Sequence, residues 1–587
     1  MNRRRKRTLN RNFKVLGCVA GGVLAASAPA AVQAATVANP LCPNNTAFFS
    51  PGNGEDIVVP PGFRVSRFAS GLNFPTGIAF RKRGGSFEVY VLESGHGLPS
   101  RCNDQTAFGA GSFDPTNPFT PDILVFDAHG NKIRGPLAKP TINDGLQPAG
   151  PAVDIAFEYG FDGGRLFATD SNQATHGGGQ NNSSRIVTVD PMTGRVTPFI
   201  TNLPTGDHPS EQLAFKDGWI YWSQGSTTNS GVVGLDNNGG ANQQDIPCQD
   251  IVLSNNVFDS GVARTSGYSP FGTQRPGATV HAFEGAMHRG VCDGAILAAR
   301  LDVSNPTSTI RPFSWGYRNG YAIRFAPEDH VLKGRMLVGE DGADERGARP
   351  SNNTPDALHI AQANKDGSPD YHGWPDRYGF LNSSQHTFDP VGGPGDDLCV
   401  ADPTNPPSMC TPASLAKILA EDVPIRNVLD HPPQPITSPI AIEAPDSSFT
   451  GIDFAPKSFV GGPVQRGAAL YVLEGDFGFS AGNSGTDEVG HEVKLINFPD
   501  DDDPLNLQIT RFAKNNTGDQ AFIQAGIRGF NRPTQLRFGP DGCAWITDYG
   551  AVRDFGQAGS DTKFVGAANA PLVQIPGTGV IWRICRQ

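Results

Sequence analysis

The chain has 587 residues, 47 Lys and Arg against 58 Asp and Glu, a formal net charge of −11, and 71 Gly and 49 Pro. A balance this acidic argues against nucleic acid or an anionic membrane as partner. The glycine and proline sit between short aromatic and β-branched runs, a composition of many strands and turns with little helix.

The chain opens on an export signal. Arg3, Arg4, Arg5, Lys6, Arg7, Arg11 and Lys14 precede an apolar run from Val15 to Ala26, and small residues around Val32-Gln33-Ala34 offer a cleavage site. The run is too short for a stable membrane span. Val15-Leu16-Gly17-Cys18 has the look of a lipoprotein box, but Lys14 leaves almost no apolar segment ahead of the cysteine. Cleavage after residue 34 removes seven basic and no acidic residues, taking the net charge from −11 to −18. Eight of the nine cysteines remain: Cys42, Cys102, Cys248, Cys292, Cys399, Cys410, Cys543 and Cys585. An even count in an exported protein favours disulfides. Their connectivity is not readable, although Cys543 and Cys585 fall on neighbouring terminal strands and Cys399 and Cys410 share one loop. The expected location is periplasmic or secreted.

In chain order, one two-strand pattern recurs six times. Phe74–Phe80 leads through Gly84-Gly85 to Val89–Glu93, and Val153–Phe157 through Asp162-Gly163-Gly164 to Leu166–Asp170. Gln212–Phe215 turns at Lys216-Asp217-Gly218 into Trp219–Ser223. Tyr321–Phe325 precedes Met336–Glu340, Phe449–Phe454 precedes Ala469–Glu474, and Pro533–Phe538 precedes Cys543–Asp548. Asp-Gly and Gly-Gly between aliphatic and aromatic runs are hairpin signals. With further strands such as Ile186–Val189 and Val493–Ile496 between them, six copies predict an all-β fold, a six-bladed β-propeller with long loop insertions. The division is a signal peptide over 1–34, an N-terminal extension over 35–54 and a propeller over 55–587, with insertions near 96–121, 229–245, 382–429 and 477–490. Only Thr411–Leu429 reads as helical, with Ser414, Leu415, Ile418 and Leu419 at helix spacing. Asp500–Asp503 reads as a solvated turn, because no spaced calcium-ligand pattern follows.

Asp207-His208 stands directly ahead of the third hairpin, where inner strands begin near a central channel. A histidine there can serve as a base at neutral pH. From spacing alone the plain alternative, a surface-loop histidine, stays open.

Four segments resemble the glucose/sorbosone dehydrogenase family, soluble quinoproteins built as six-bladed propellers that bind pyrroloquinoline quinone and calcium. Asp207-His208 with Leu213-Ala214-Phe215 is similar to the segment whose histidine is the general base, and the resemblance places Asp207 at the cofactor. Trp315-Gly316-Tyr317-Arg318-Asn319 resembles the Gly-x-Arg-Asn signature, whose Arg and Asn contact the quinone; Arg318 would also stabilise charge developing on it. Gly339-Glu340-Asp341-Gly342-Ala343, continuing to Tyr371-His372-Gly373-Trp374-Pro375, resembles the segment whose two backbone carbonyls, here of Gly342 and Ala343, hold the calcium. Arg532-Pro533 ahead of Gly539-Pro540-Asp541-Gly542 resembles the last-blade segment that supplies a cofactor arginine. The resemblance implies oxidation of a sugar, with electrons leaving to a separate acceptor.

Three positions depart from the family pattern. Ser223-Gln224-Gly225-Ser226 lacks the aspartate that commonly orients the histidine, Thr534 replaces the second last-blade arginine, and Glu474-Gly475-Asp476 replaces a cation of the fifth blade. Two other readings therefore stand beside the dehydrogenase: a calcium-dependent propeller lactonase or esterase with His208 or Glu340 as base, and a non-catalytic propeller that binds glycan or protein.

Overall fold

Each of the six hairpins forms the first two strands of one sheet, and the six sheets are the blades of a β-propeller. The computed structural model describes residues 35–40, 46–95, 119–140, 144–148, 150–172, 183–234, 244–259, 263–285, 291–343, 348–349, 354–378, 381–382, 426–433, 439–475, 489–498, 506–523, 525–554 and 572–587. Inner strands are Pro75–Arg83, Ile155–Phe157, Ser210–Lys216, Asn319–Phe325, Phe449–Phe454 and Pro533–Phe538, for blades 1 to 6 in order. Their antiparallel partners are Ser86–Glu93, Leu166–Asp170, Trp219–Gln224, Met336–Asp341, Ala469–Leu473 and Ala544–Asp548. In the third hairpin Asp217 and Gly218 both take positive φ, 51° and 78°, as a tight two-residue turn requires.

The blades pack face to face through alternating apolar residues. Every inner strand ends its apolar run in a phenylalanine: Phe80, Phe157, Phe215, Phe325, Phe454 or Phe538. Phe215 meets Phe167 of blade 2 at 5.4 Å, and Phe325 meets Tyr221 of blade 3 at 4.8 Å. Full burial of such a ring contributes about 1.5–3 kcal/mol relative to exposure, and the half-buried Phe215 and Phe325 contribute correspondingly less. Facing the channel, an inner strand has an unpaired edge, and a polar side chain of another blade covers it. Asp154 accepts the N–H of Leu213, Gln212 that of Ile323, Asp453 that of Phe538 and Gln535 that of Ile78. These contacts satisfy backbone donors that would otherwise be buried without a partner.

Both ends of the propeller close the ring in blade 6, where Gly579–Arg586 pairs with Ala544–Asp548 on one side and with Phe63–Leu72 on the other. Cys543–Cys585 ties the same blade, and Cys248–Cys292 forms a second disulfide. Cys42, Cys102, Cys399 and Cys410 lie outside the described residues, as do the export signal, most of the four insertions and Asp500–Asp503. Of the expected helix, residues 426–429 are described and are not helical; Leu429 forms an isolated bridge to Leu253 instead. Among the described residues no helix is long and apolar enough to cross a membrane.

Candidate functional site

A β-bulge interrupts the start of five inner strands, between Pro75 and Gly77, Ser210 and Leu213, Asn319 and Ala322, Phe449 and Gly451, and Pro533 and Gln535. Bulges re-aim side chains. Here they lie at the N-terminal ends of inner strands, which is one mouth of the channel, and the residues singled out in the sequence stand there.

Beyond its bulge, the blade 3 hairpin continues as an irregular pair. Asp207 N–H donates to the Thr227 carbonyl at 2.9 Å, His208 N–H to Ser226 at 3.1 Å, and Gly225 N–H to Pro209 at 3.0 Å. Gly225 is required by this approach: a Cβ on it would lie 2.2 Å from the His208 Cβ. Arg318 Nη2 donates to Asp207 Oδ2 at 3.2 Å, and His208 Nδ1 lies 3.4 Å from the same oxygen. Asp207 and Arg318 are buried, whereas the His208 side chain keeps 19% of its surface exposed. A basic nitrogen and a fixed cation thus share one carboxylate, with the histidine open to the mouth.

The neighbouring blades add carboxylates. Asn319 Nδ2 donates to Asp341 Oδ2 at 3.1 Å, and the Asn319 amide also bonds Glu211. Gly342 N–H donates to Asp356 Oδ1 at 2.7 Å, and Asp356 Oδ2 accepts Ser448 N–H at 2.7 Å. Burial pushes Glu211 and Asp341 well above the usual carboxylate range; Arg318 pulls both back, whereas Asp356 and Glu211 push Asp341 further. Asp356 is raised to about 7 by burial. Arg532, in blade 6, donates from Nη1 to the Gly475 carbonyl at 2.7 Å. Beside it Glu474 is raised to about 7, by burial first, with Asp548 pushing the same way and Arg532 opposing. Tyr321 ties these groups together. Its hydroxyl is pushed up by burial and then by Glu211, Glu474, Asp154 and Asp341, carboxylates of four different blades.

His208, Arg318, Asn319, Gly342, Ala343 and Arg532 therefore stand at one mouth, although they come from three blades. At the three departures from the family pattern, the local geometry is specific. Gln224 holds Ser210 Oγ and the Pro204 carbonyl, and the carboxylate beside His208 is Asp207. Thr534 bonds the Pro75 carbonyl and Thr547. No replacement cation comes from Arg528 or Lys494, which pair with Asp56 and Glu443. Sequence reasoning did not find Glu211, Tyr321, Asp356 or the buried histidines His359 and His491, and it quoted His372 within a segment without giving it a role. An acid at Glu211, directly ahead of the apolar run Leu213-Ala214-Phe215, was the available signal.

A hard divalent cation suits this donor set. Glu211 Oε2, Asn319 Oδ1 and Asp341 Oδ1 are buried oxygens without a hydrogen-bond partner among the described residues, and the Gly342 and Ala343 carbonyls follow in the chain. An anionic tricarboxylate would meet Arg318 and Arg532 but also Glu211, Asp341 and Glu474. The residues fit it on top of a bound cation and not without one.

No protein-family model and no curated protein matches this chain. Among solved structures it is similar to the holo PQQ domain of pyranose dehydrogenase from Coprinopsis cinerea, at 14% identity and TM-score 0.45, over 90% of this chain and 97% of that one. A calcium structure of a family AA12 enzyme from Trichoderma reesei matches at 14% and TM-score 0.48, over 92% and 99% of the two chains. Soluble aldose sugar dehydrogenase from Escherichia coli, in its apo form, matches at 11% and TM-score 0.44, over 89% and 100%. At these identities and TM-scores the likenesses carry no argument about chemistry, which rests on the residues of the mouth.

Proposed function

We propose that this mouth is the active site of an exported sugar dehydrogenase that uses pyrroloquinoline quinone and calcium. The observation that carries the reading is the shared oxygen of Asp207, engaged by Arg318 at 3.2 Å and lying 3.4 Å from a partly open His208. A base held beside a fixed cation suits removal of a hydroxyl proton from a sugar while charge develops next to it. When bound, the quinone would supply the carbonyl that accepts hydride, and the calcium would polarise that carbonyl. In this reading His208 takes the proton from the anomeric hydroxyl at Nε2. Asp207 keeps the imidazole turned and offsets the positive charge the ring acquires. Arg318 and Arg532 would hold anionic groups of the cofactor, Asn319 and the Gly342 and Ala343 carbonyls would supply oxygen ligands to the cation, and electrons would leave to a separate acceptor.

Purified apoprotein titrated with quinone and calcium tests this. Dye reduction with aldoses that needs both additions is expected; no quinone binding in the presence of calcium sinks the reading. The surplus of carboxylates at the mouth favours one alternative, a calcium-dependent lactonase without quinone, which the same preparation tests as lactone hydrolysis with calcium alone. Glu340 is a poor base for it, because both of its oxygens are engaged, by Arg318 N–H and by His359.

A further inference from the structure

Arg318 is held by more than its guanidinium. Its carbonyl accepts Ser226 N–H at 2.9 Å, and its own N–H donates to Glu340 Oε1 at 2.7 Å. A strand ladder would ordinarily supply that acceptor, but the bulge between Asn319 and Ala322 displaces the register here. Glu340 is itself held from behind. Its Oε2 lies 2.7 Å from His359 Nε2, His359 Nδ1 lies 3.3 Å from His372 Nδ1, and His372 Nε2 lies 3.0 Å from Asp370 Oδ2. Glu340, His359, His372 and Asp370 are all buried.

The four side chains come from three separate strands or loops. Glu340 is on the second strand of blade 4 and His359 on the third, Asp356–Ala361. Asp370 lies on the short strand Asp370–Tyr371, which pairs in parallel with the outer strand of blade 3, Arg311–Trp315, and His372 follows it. His372 N–H donates to the Trp315 carbonyl at 2.9 Å, and the ring of Tyr317 stacks on His372 at 4.8 Å and 18°. The crossover Trp315–Asn319, which carries the chain from blade 3 to blade 4, is thus gripped along its length. Four buried polar side chains cost more than apolar packing of the same volume unless their hydrogen bonds achieve something packing cannot. What this chain reaches is the backbone N–H of the residue whose guanidinium fixes Asp207.

We infer that Glu340 is a positioning residue for Arg318, and that His359, His372 and Asp370 form a buried brace that holds it there. The inference rests on the reading of Arg318 as the cation of the active site, but its structural part stands without any cofactor. A brace of this kind sets where the guanidinium sits relative to Asp207 and His208, so loosening it changes the site before it changes the fold.

His359→Phe keeps ring volume and removes the bond to Glu340, whereas His359→Gln retains a donor at similar reach. On the apoprotein, amide exchange of the segment containing Arg318 and Asn319, read by mass spectrometry, is expected to speed up about tenfold or more in H359F, in line with loss of a hydrogen bond to a charged group. H359Q should restore most of the protection, and exchange in Ala544–Asp548 of blade 6 should stay as in the wild type. In the calcium- and quinone-loaded enzyme, H359F should lower kcat about tenfold with sugar KM nearly unchanged. Unchanged exchange at Arg318 in H359F overturns the inference, as does an H359Q variant that loses as much as H359F. If H359F does not fold, Glu340→Gln, which keeps an acceptor for Arg318 N–H but weakens the grip of His359, takes its place with the same readouts. A wild type that binds no quinone removes the dehydrogenase reading alone, because the exchange comparison still decides whether the brace exists.

Discussion

His208 and Arg318 meet on one oxygen of Asp207, yet their removal has different consequences. His208→Ala deletes a base and leaves the cations in place, so turnover should fall by roughly 10²–10⁴ while quinone affinity stays close to wild type. Arg318→Ala deletes a buried cation and leaves Asp207 without its partner, so turnover and quinone affinity should fall together. Steady-state rates beside a quinone titration of each variant separate the two, and near-normal turnover in H208A would falsify the assignment of the base. Glu474 gives a third residue-scale prediction, with a pH signature. Its folded pKa of about 7 lies above the ordinary value of 4.5, so the native state holds the proton that the unfolded chain has released. Stability is unaffected by this group below about 4.5, falls as pH rises from there to about 7, and then stays level. Glu474→Gln removes that loss, so its stability gain over wild type should grow across the same window to the order of 3 kcal/mol. Denaturant melts at pH 5 and pH 8 check it, and a gain that is larger at pH 5 has the wrong sign.

At the scale of elements, the hairpin of blade 3 shows what was legible and what was not. Its strands, its Asp217-Gly218 turn and the place of His208 ahead of it were readable, because turn chemistry and apolar alternation are local signals. The same holds for the other five hairpins, and the placement of Cys543 and Cys585 on neighbouring terminal strands was readable although their pairing was not. The bulges were not readable, since a single displaced residue leaves no mark in a short alternating run. The contacts that depend on register were hidden too: Glu340 reaches His359, and His359 reaches His372, only because Val338 lies opposite His359 and Trp315 beside Tyr371. Gln224 stands where the family pattern has a carboxylate, and the carboxylate that lies beside His208 is that of Asp207, the residue next to it. Gly225 shows how such an element can be tested. Gly225→Ala would place a methyl group 2.2 Å from the His208 Cβ, so the irregular pair that carries His208 must shift. Overpacking of this kind costs about 1–3 kcal/mol. The expected outcome is a protein that still unfolds in one transition but has lost most of its turnover, measured by thermal melting and by dye reduction. Turnover intact in a folded G225A protein would show that the position of His208 is not critical.

Across the whole molecule, closure of the ring is the feature on which the mouth depends, because residues of blades 3, 4 and 6 share one channel only while the blades stay in a circle. Blade 6 makes that closure from both ends of the propeller: Gly579–Arg586 lies between Ala544–Asp548 and Phe63–Leu72. The joint is held by pairing, by the buried Trp582, whose Nε1 donates to Asp548 Oδ2 at 2.9 Å, and by Cys543–Cys585 across a sequence separation of 42. Asp548 also accepts the N–H groups of Asn531 and Arg532, so the closing strand and the arginine at the mouth lean on the same carboxylate. A loop of that length, once untied, returns about 4 kcal/mol of chain entropy to the unfolded state. Cys543→Ser with Cys585→Ser should therefore lower the melting temperature by several degrees, a modest shift because the enthalpy of so large a chain is high. Amide exchange should show where the loss falls: the strands Gly579–Arg586 and Phe63–Leu72 should open first in the variant, ahead of blades 2 and 3. Affinity for an anionic ligand should weaken along with them, because Arg532 loses the support of Asp548 when the closing strand frays. If blades 2 and 3 exchange as early as blade 6, the seam is not the weak point of the ring, and the coupling of closure to the mouth is wrong.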